Sequence, residues 1–248
     1  MDFLDLSLTQ SLYCLLGIAA GGFLRGFLGF GAALLIVPVL SFVVSPVAAI
    51  AILVLIEIPN IVYLTPQGLR GCDVKTITPM LVGVLVAVPI GTTILVSVDQ
   101  TKMKLIMSAV LLMAIGLLLS GWRIKGSVNR LTMFVAGIIG GGLQGTSGMG
   151  GPPLVTTILS LRDDESRTRA NIITMLNTMS ALNAVTLAAY GKITADLVQF
   201  SAVAAVIYVA STMLGAKFFR HGGNLYFRQV ALLILAAIAL VMVWSALN

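Results

Sequence analysis

The sequence is short of charge. Asp, Glu, Lys and Arg together make up 10% of its 248 residues, against about a quarter in a soluble domain. A chain this poor in charge cannot cover its own surface toward water. With 58% hydrophobic residues and a mean hydropathy of +1.06, its solvent is lipid. Histidine occurs once, as His221 in a basic stretch with no catalytic partner beside it. Two cysteines, Cys14 in an apolar segment and Cys72 in a basic loop, give no metal spacing and argue against a disulfide. No basic run is interleaved with aromatics, so the net charge of +6 does not point to nucleic acid. An intramembrane enzyme would need a nucleophile with its base, or a metal set, facing one cavity. The spans hold no acid cluster and no histidine. No metal and no cofactor is expected. The N-terminal MDFLDLSLTQ has two acids and no base, so it lacks the basic region of a secretory signal, and the first hydrophobic segment is expected to stay.

What the chain does have is hydrophobic length. Six apolar segments can each span about 30 Å of hydrocarbon: 46–66, 77–98, 103–121, 170–190, 197–216 and 227–247. Two further regions, 9–44 and 129–161, are apolar but broken by GFLRGFLGFG and GGGLQGTSGMGGPP. The dozen or so apolar residues left after each break reach only ~18 Å as helix. Each region therefore reads as a hairpin of two helical segments, re-entrant or crossing twice. Loop charge tests the reading. With hairpins that return to their own side and an outside N-terminus, eleven cations fall inside: Arg70, Lys75, Arg123, Lys125, Arg130, Arg162, Arg167, Arg169, Lys217, Arg220 and Arg228. Only Lys102, Lys104 and Lys192 fall outside. Single crossings would split the same charges 8 against 6. The positive-inside rule favours hairpins, and with them N- and C-termini outside a cytoplasmic (inner) membrane crossed many times.

The two breaks resemble each other. GGFLRGFLGFGAALLIV (21–37) aligns with GGGLQGTSGMGGPPLVT (140–156) at an offset of 119 residues. Gly21, Gly22, Gly26, Gly29 and Gly31 fall on Gly140, Gly141, Gly145, Gly148 and Gly150. Three spans follow each hairpin, an odd number, so the halves are inverted. The expected fold is an all-α integral membrane protein of two inverted repeats, 1–122 and 123–248, each a broken-helix hairpin plus three transmembrane helices. Broken helices meeting near the midplane are a transporter architecture. Over its whole length the chain resembles the sulfite exporter TauE/SafE family, and GGGLQGTSGMGGPP carries the resemblance best. The first half departs from the pattern, with Ala32 and Ala33 where a further glycine after Gly31 is usual. The resemblance implies export or uptake of small sulfur-containing anions such as sulfite, sulfoacetate or other sulfonates.

The breaks also specify a chemistry. A non-helical turn at membrane depth is tolerated only inside protein or beside water, so Gly148, Met149, Gly150 and Gly151 should line a cavity. A short helix is expected to begin near Pro152, with a partly positive end and free N–H groups that favour an anion. Gln144, Gly145, Thr146 and Ser147 would add an amide, a close backbone and hydroxyls for sulfonate oxygens. Gly29, Phe30 and Gly31 should act likewise from the opposite direction. The competing reading is that these glycines are small-residue contacts between helices. No Lys follows the glycines and no strand precedes them, so a nucleotide site is excluded, and with it a visible ATP drive.

Two charges lie at membrane depth, where charges are costly. Arg25, aligned with Gln144, suits an oxyanion. Glu57 is a candidate proton site. The alternatives are that the two pair with each other, or that Arg25 snorkels to the interface. Asn60, one turn from Glu57, and Asn177 are candidates for the substrate. Asn171 and Asn183 fit a structural role better, and Asn171, Thr174 and Thr178 share a face. The expected function is secondary transport of a small anion, most simply export. An anion channel and a proton-coupled importer of another organic anion remain open, as does the oligomeric state, a homodimer included. The expected partners are the substrate and the bilayer.

Overall fold

Apolar runs punctuated by glycine, proline and capping side chains become helices, and no strand occurs among the described residues. The computed structural model describes residues 7–28, 30–120, 124, 128–161 and 163–220, with 235–238, 240–241 and 244 near the C-terminus. Nine helices follow in order among the described residues: α1 (Leu8–Leu28), α2 (Ala32–Leu40), α3 (Pro46–Gly71), α4 (Val74–Ser97), α5 (Gln100–Ser120), α6 (Arg130–Ser147), α7 (Gly151–Ile158), α8 (Glu165–Ala189) and α9 (Ala195–Arg220). The segment 227–247, read above as a sixth span, falls mostly outside the described residues.

Local chemistry sets several helix starts. The Ser45 hydroxyl accepts from the Ala48 N–H, with Pro46 in the first helical position of α3. Asp73, Asn129 and Asp164 accept in the same way from Thr76, Thr132 and Arg167 at the starts of α4, α6 and α8. These caps satisfy donors that the first turn leaves free. The Thr76 hydroxyl and N–H, both bonded to Asp73, hold its carboxyl below the ordinary carboxylate range.

Among the described residues, five helices are long and apolar enough to cross a membrane: α3, α4, α5, α8 and α9. They fall on the runs 46–66, 77–98, 103–121, 170–190 and 197–216. The two glycine-rich regions are each a long helix, a sharp break and a short helix. At 9 and 8 residues, α2 and α7 are only ~13 and ~12 Å long, too short to cross. Neither second arm can span the hydrocarbon by itself. Both breaks obey the same spacing: α1 ends 119 residues before α6, and α2 begins 119 residues before α7.

Packing follows a cross-over pattern. α1 lies along α9, α6 lies along α4, and α3 packs on α8. Glycine lets the backbones approach. A Cβ on Gly145 would collide with the Val88 carbonyl oxygen of α4, one on Gly137 with the Met80 oxygen, and one on Gly26 with the Thr212 oxygen of α9. The main core gathers Cys14, Ile18, Leu34, Ile36, Ile50, Ile52 and Leu53 around α2 and α3. Many large apolar side chains face outward instead, among them Val62, Tyr63, Val185, Val206 and Met213, as a lipid-facing surface requires.

Candidate functional site

The two breaks meet. A small cavity is lined by Phe30, Gly31, Ala32 and Ala33 from the first, and by Gly148, Met149, Gly151 and Pro152 from the second. Arg25, Gln144, Glu57 and Ser180 complete the polar part of its wall. Gly31 and Gly148 adopt left-handed backbone, with φ of 94° and 73°, which a side chain would resist. These two residues turn each long helix into its short one. The cavity has a volume of about 30 Å³, room for a water molecule or two. Anything larger needs the walls to move apart.

Arg25 and Glu57 are paired. The Arg25 Nη1 donates to Glu57 Oε1 at 2.8 Å, and the two side chains are 13% and 6% exposed. Ser180 Oγ donates to Glu57 Oε2 at 2.6 Å, and Tyr208 OH donates to Oε1 at 3.3 Å. Each carboxylate oxygen thus accepts at least one hydrogen bond, which offsets the cost of burying the charge. The guanidinium has five N–H donors and one bonded acceptor among the described residues. It lines the cavity with donors to spare.

The short helices differ as anion sites. The Ala32 and Ala33 N–H groups at the start of α2 have no acceptor among the described residues, while Leu34 N–H is bonded to Gly31. The second tip offers less than expected. Pro152 and Pro153 occupy the second and third positions of α7 and have no N–H. Met149 N–H is bonded to Ser147 Oγ, and Gly150 N–H to Gln144 Oε1. Among the first three residues of α7, Gly151 alone keeps a free amide donor. α7 contributes its dipole more than its donors.

The sequence-predicted residues divide accordingly. Arg25, Glu57, Phe30, Gly31, Gln144, Gly148, Met149 and Gly151 meet at the cavity. Gly29 lies outside the described residues. Gly145 packs on the α4 backbone, and Gly150 packs on Gly140 behind the tip. Thr146 bonds its own helix at Gly142 and borders an apolar groove of about 540 Å³ between α4, α5 and α6. Ser147 donates to Leu143 and braces the turn. Asn60 on α3 and Asn177 on α8 are not part of the cavity lining. Asn177 Nδ2 donates to Thr65 Oγ1, and Asn60 Nδ2 is buried without a close acceptor. Asn183 holds Thr92 and the Gln144 carbonyl, and Asn171 accepts from the Asp73 N–H. Both are structural. Ser180 and Tyr208 were not foreseen. Ser180 lies three residues beyond Asn177, so its helix face was readable. Tyr208 reaches Glu57 through tertiary packing that no local pattern announces. The described residues hold no cluster of His, Cys, Asp or Glu that could bind a metal.

Comparison with known proteins supplies a family. Residues 13–242 match the family described as sulfite exporter TauE/SafE. The chain is 26% identical over 207 residues to the probable sulfite/organosulfonate exporter TauE of Cupriavidus necator, covering 81% of each chain. No solved structure matches. With five membrane-length helices among the described residues, two broken hairpins facing one cavity and a family match across nearly its full length, the chain belongs to the sulfite exporter TauE/SafE family of membrane transporters.

Proposed function

We propose that the protein exports a small sulfur-containing anion, sulfite or an organosulfonate, across the cytoplasmic membrane, binding it between the two hairpin tips. One observation carries the reading: Arg25 and both breaks converge on a single cavity. The Arg25 guanidinium grips the anion's oxygens, the Ala32 and Ala33 N–H groups supply neutral donors, and the positive end of α7 adds its field. The C. necator relative supplies the substrate class. Direction follows from the membrane potential, which gives an outgoing anion about 2.3 kcal/mol per charge per 100 mV, so export needs no coupled ion. The 119-residue spacing of the breaks and the exchanged packing of α1 on α9 and α6 on α4 support two inverted repeats. Loop charge supports termini outside.

Proton-coupled transport is the second reading, favoured by Glu57 holding the substrate's arginine. A protonated Glu57 would release Arg25 to the anion. Both readings are tested with purified protein in proteoliposomes on solid-supported membranes, given concentration jumps of sulfite, sulfoacetate, taurine and sulfate. Export of sulfur anions predicts saturable currents for sulfite or sulfoacetate, insensitive to a pH gradient and sharply reduced in Arg25→Lys, which keeps the charge and loses the fork. Currents that follow the pH gradient and lose that dependence in Glu57→Gln would establish proton coupling. Silence for all four anions sinks the substrate class, and currents that never saturate indicate a channel.

A further inference from the structure

The interface between α3 and α8 is polar in one direction from the cavity and apolar in the other. Toward the end of α3 it runs from Glu57 and Ser180, past Asn60, to the Asn177–Thr65 hydrogen bond at 3.1 Å. It continues to Gly68 against Thr174, and ends where Asn171 accepts from the Asp73 N–H. In the opposite direction α3 presents Leu53, Ile52, Ile50 and Ala49, each at most 1% exposed. Asn183 there is fully committed to Thr92 and Gln144.

Two polar atoms on the polar side are buried without a close hydrogen-bond partner: Asn60 Nδ2, with the Tyr208 hydroxyl nearby, and Thr174 Oγ1. Thr174 is 7% exposed. Buried orphans are costly and rare, and they mark places that water or a ligand visits. The same stretch of α3 is weakened. Pro59 and Pro66 each remove a backbone donor, leaving the Leu55 and Val62 carbonyls without their helical partner and allowing a bend. At Gly68 the two helices approach closely: a Cβ there would lie 2.7 Å from Thr174 Oγ1.

We infer that the α3–α8 seam is the water-filled access route between the cavity and the face of the protein carrying Arg70 and Arg167, closed here at Gly68–Thr174 and opened by bending α3 at Pro59 and Pro66. Asn60, Thr174 and Asn177 are its lining. Arg70, Lys75, Arg167 and Arg169 alternate at its mouth with Asp73, Asp163, Asp164 and Glu165. The mouth is therefore close to neutral, and preference for anions arises deeper, at Arg25. Naming the substrate that uses the route rests on the proposed function. The existence of the route does not.

Thiol accessibility tests it. Thr174→Cys, Asn177→Cys and Asn60→Cys are made separately in Cys14→Ala protein and reconstituted in sealed vesicles. Sulfonatoethyl methanethiosulfonate, a membrane-impermeant reagent and itself an organosulfonate, is applied from one side and then the other. Modification is read residue by residue by mass spectrometry. Native Cys72, at the end of α3, marks the Arg70 face. The route predicts that thiols at 174 and 177 react from the Cys72 side only, roughly tenfold or more faster than a thiol at 187 in Leu187→Cys, because buried thiols are inert. Position 60, deeper, reacts from the same side more slowly. Rates equal to Leu187→Cys at every position, or reaction only from the side opposite Cys72, overturn the proposal. Using three positions guards against one variant failing to fold. No transport is needed for the readout, so silent currents and an open seam can be told apart.

Discussion

Single residues at the breaks carry conformational and electrostatic demands that can be separated. At Gly31 a Cβ would meet only Leu34 Cδ1, at 3.6 Å, so space is not what selects glycine. The left-handed φ of 94° is. Gly31→Ala should therefore cost about 1–3 kcal/mol, seen as a lower unfolding midpoint in detergent. A cost near zero would mean the tip relaxes freely. Arg25 and Glu57 make an electrostatic demand instead. Arg25→Met leaves a buried carboxylate unpaired and should cost about 3–5 kcal/mol, whereas Arg25→Met with Glu57→Met should cost much less. Thermal unfolding of the two single variants and the double variant gives the coupling. Additive losses would show that the pair acts as two independent groups.

Helices are where the sequence was most readable and where its ambiguity was greatest. Five long apolar runs became membrane-length helices because length and hydropathy are local properties. The two breaks were legible for the same reason: GFG and GMGGPP cannot continue a helix in lipid. The same glycines, however, serve two ends, and composition could not divide them. Gly31 and Gly148 turn the chain, while Gly26 and Gly145 bring neighbouring backbones together. The difference lies in which partner helix passes by, a tertiary fact. A contrast along α6 checks the division. Gly145→Val drives a side chain into the α4 backbone and should cost about 1–3 kcal/mol or more. Gly142→Ala, with no atom within 4 Å of its Cβ, should be neutral or slightly stabilising. Equal effects in a thermal assay would mean α4 and α6 do not pack as described. The donors of α7 were misjudged for a related reason. Two successive prolines, with Ser147 and Gln144 engaging the preceding amides, leave few N–H groups for a ligand.

For the molecule as a whole, the ion pair sets how voltage acts. Arg25 and Glu57 cancel each other's charge in the middle of the protein. On the proposed carrier mechanism, the empty protein would move no net charge when it changes the side it faces, and the membrane field would do no work on that step. Once an anion joins the pair, the loaded centre carries the anion's full charge, and each 100 mV is worth about 2.3 kcal/mol per charge to its passage. Voltage should thus alter the rate of the loaded step and leave the return step alone. Transient currents recorded over a range of potentials should show charge displacement only with substrate present. Glu57→Gln reverses the rule: its empty form keeps an unbalanced cation, and its return becomes the step the field opposes or drives. As long as it stays ionised, the carboxylate would keep the unloaded protein electrically silent, so that an idle transporter of this kind would neither drain the membrane potential nor be held on one side by it.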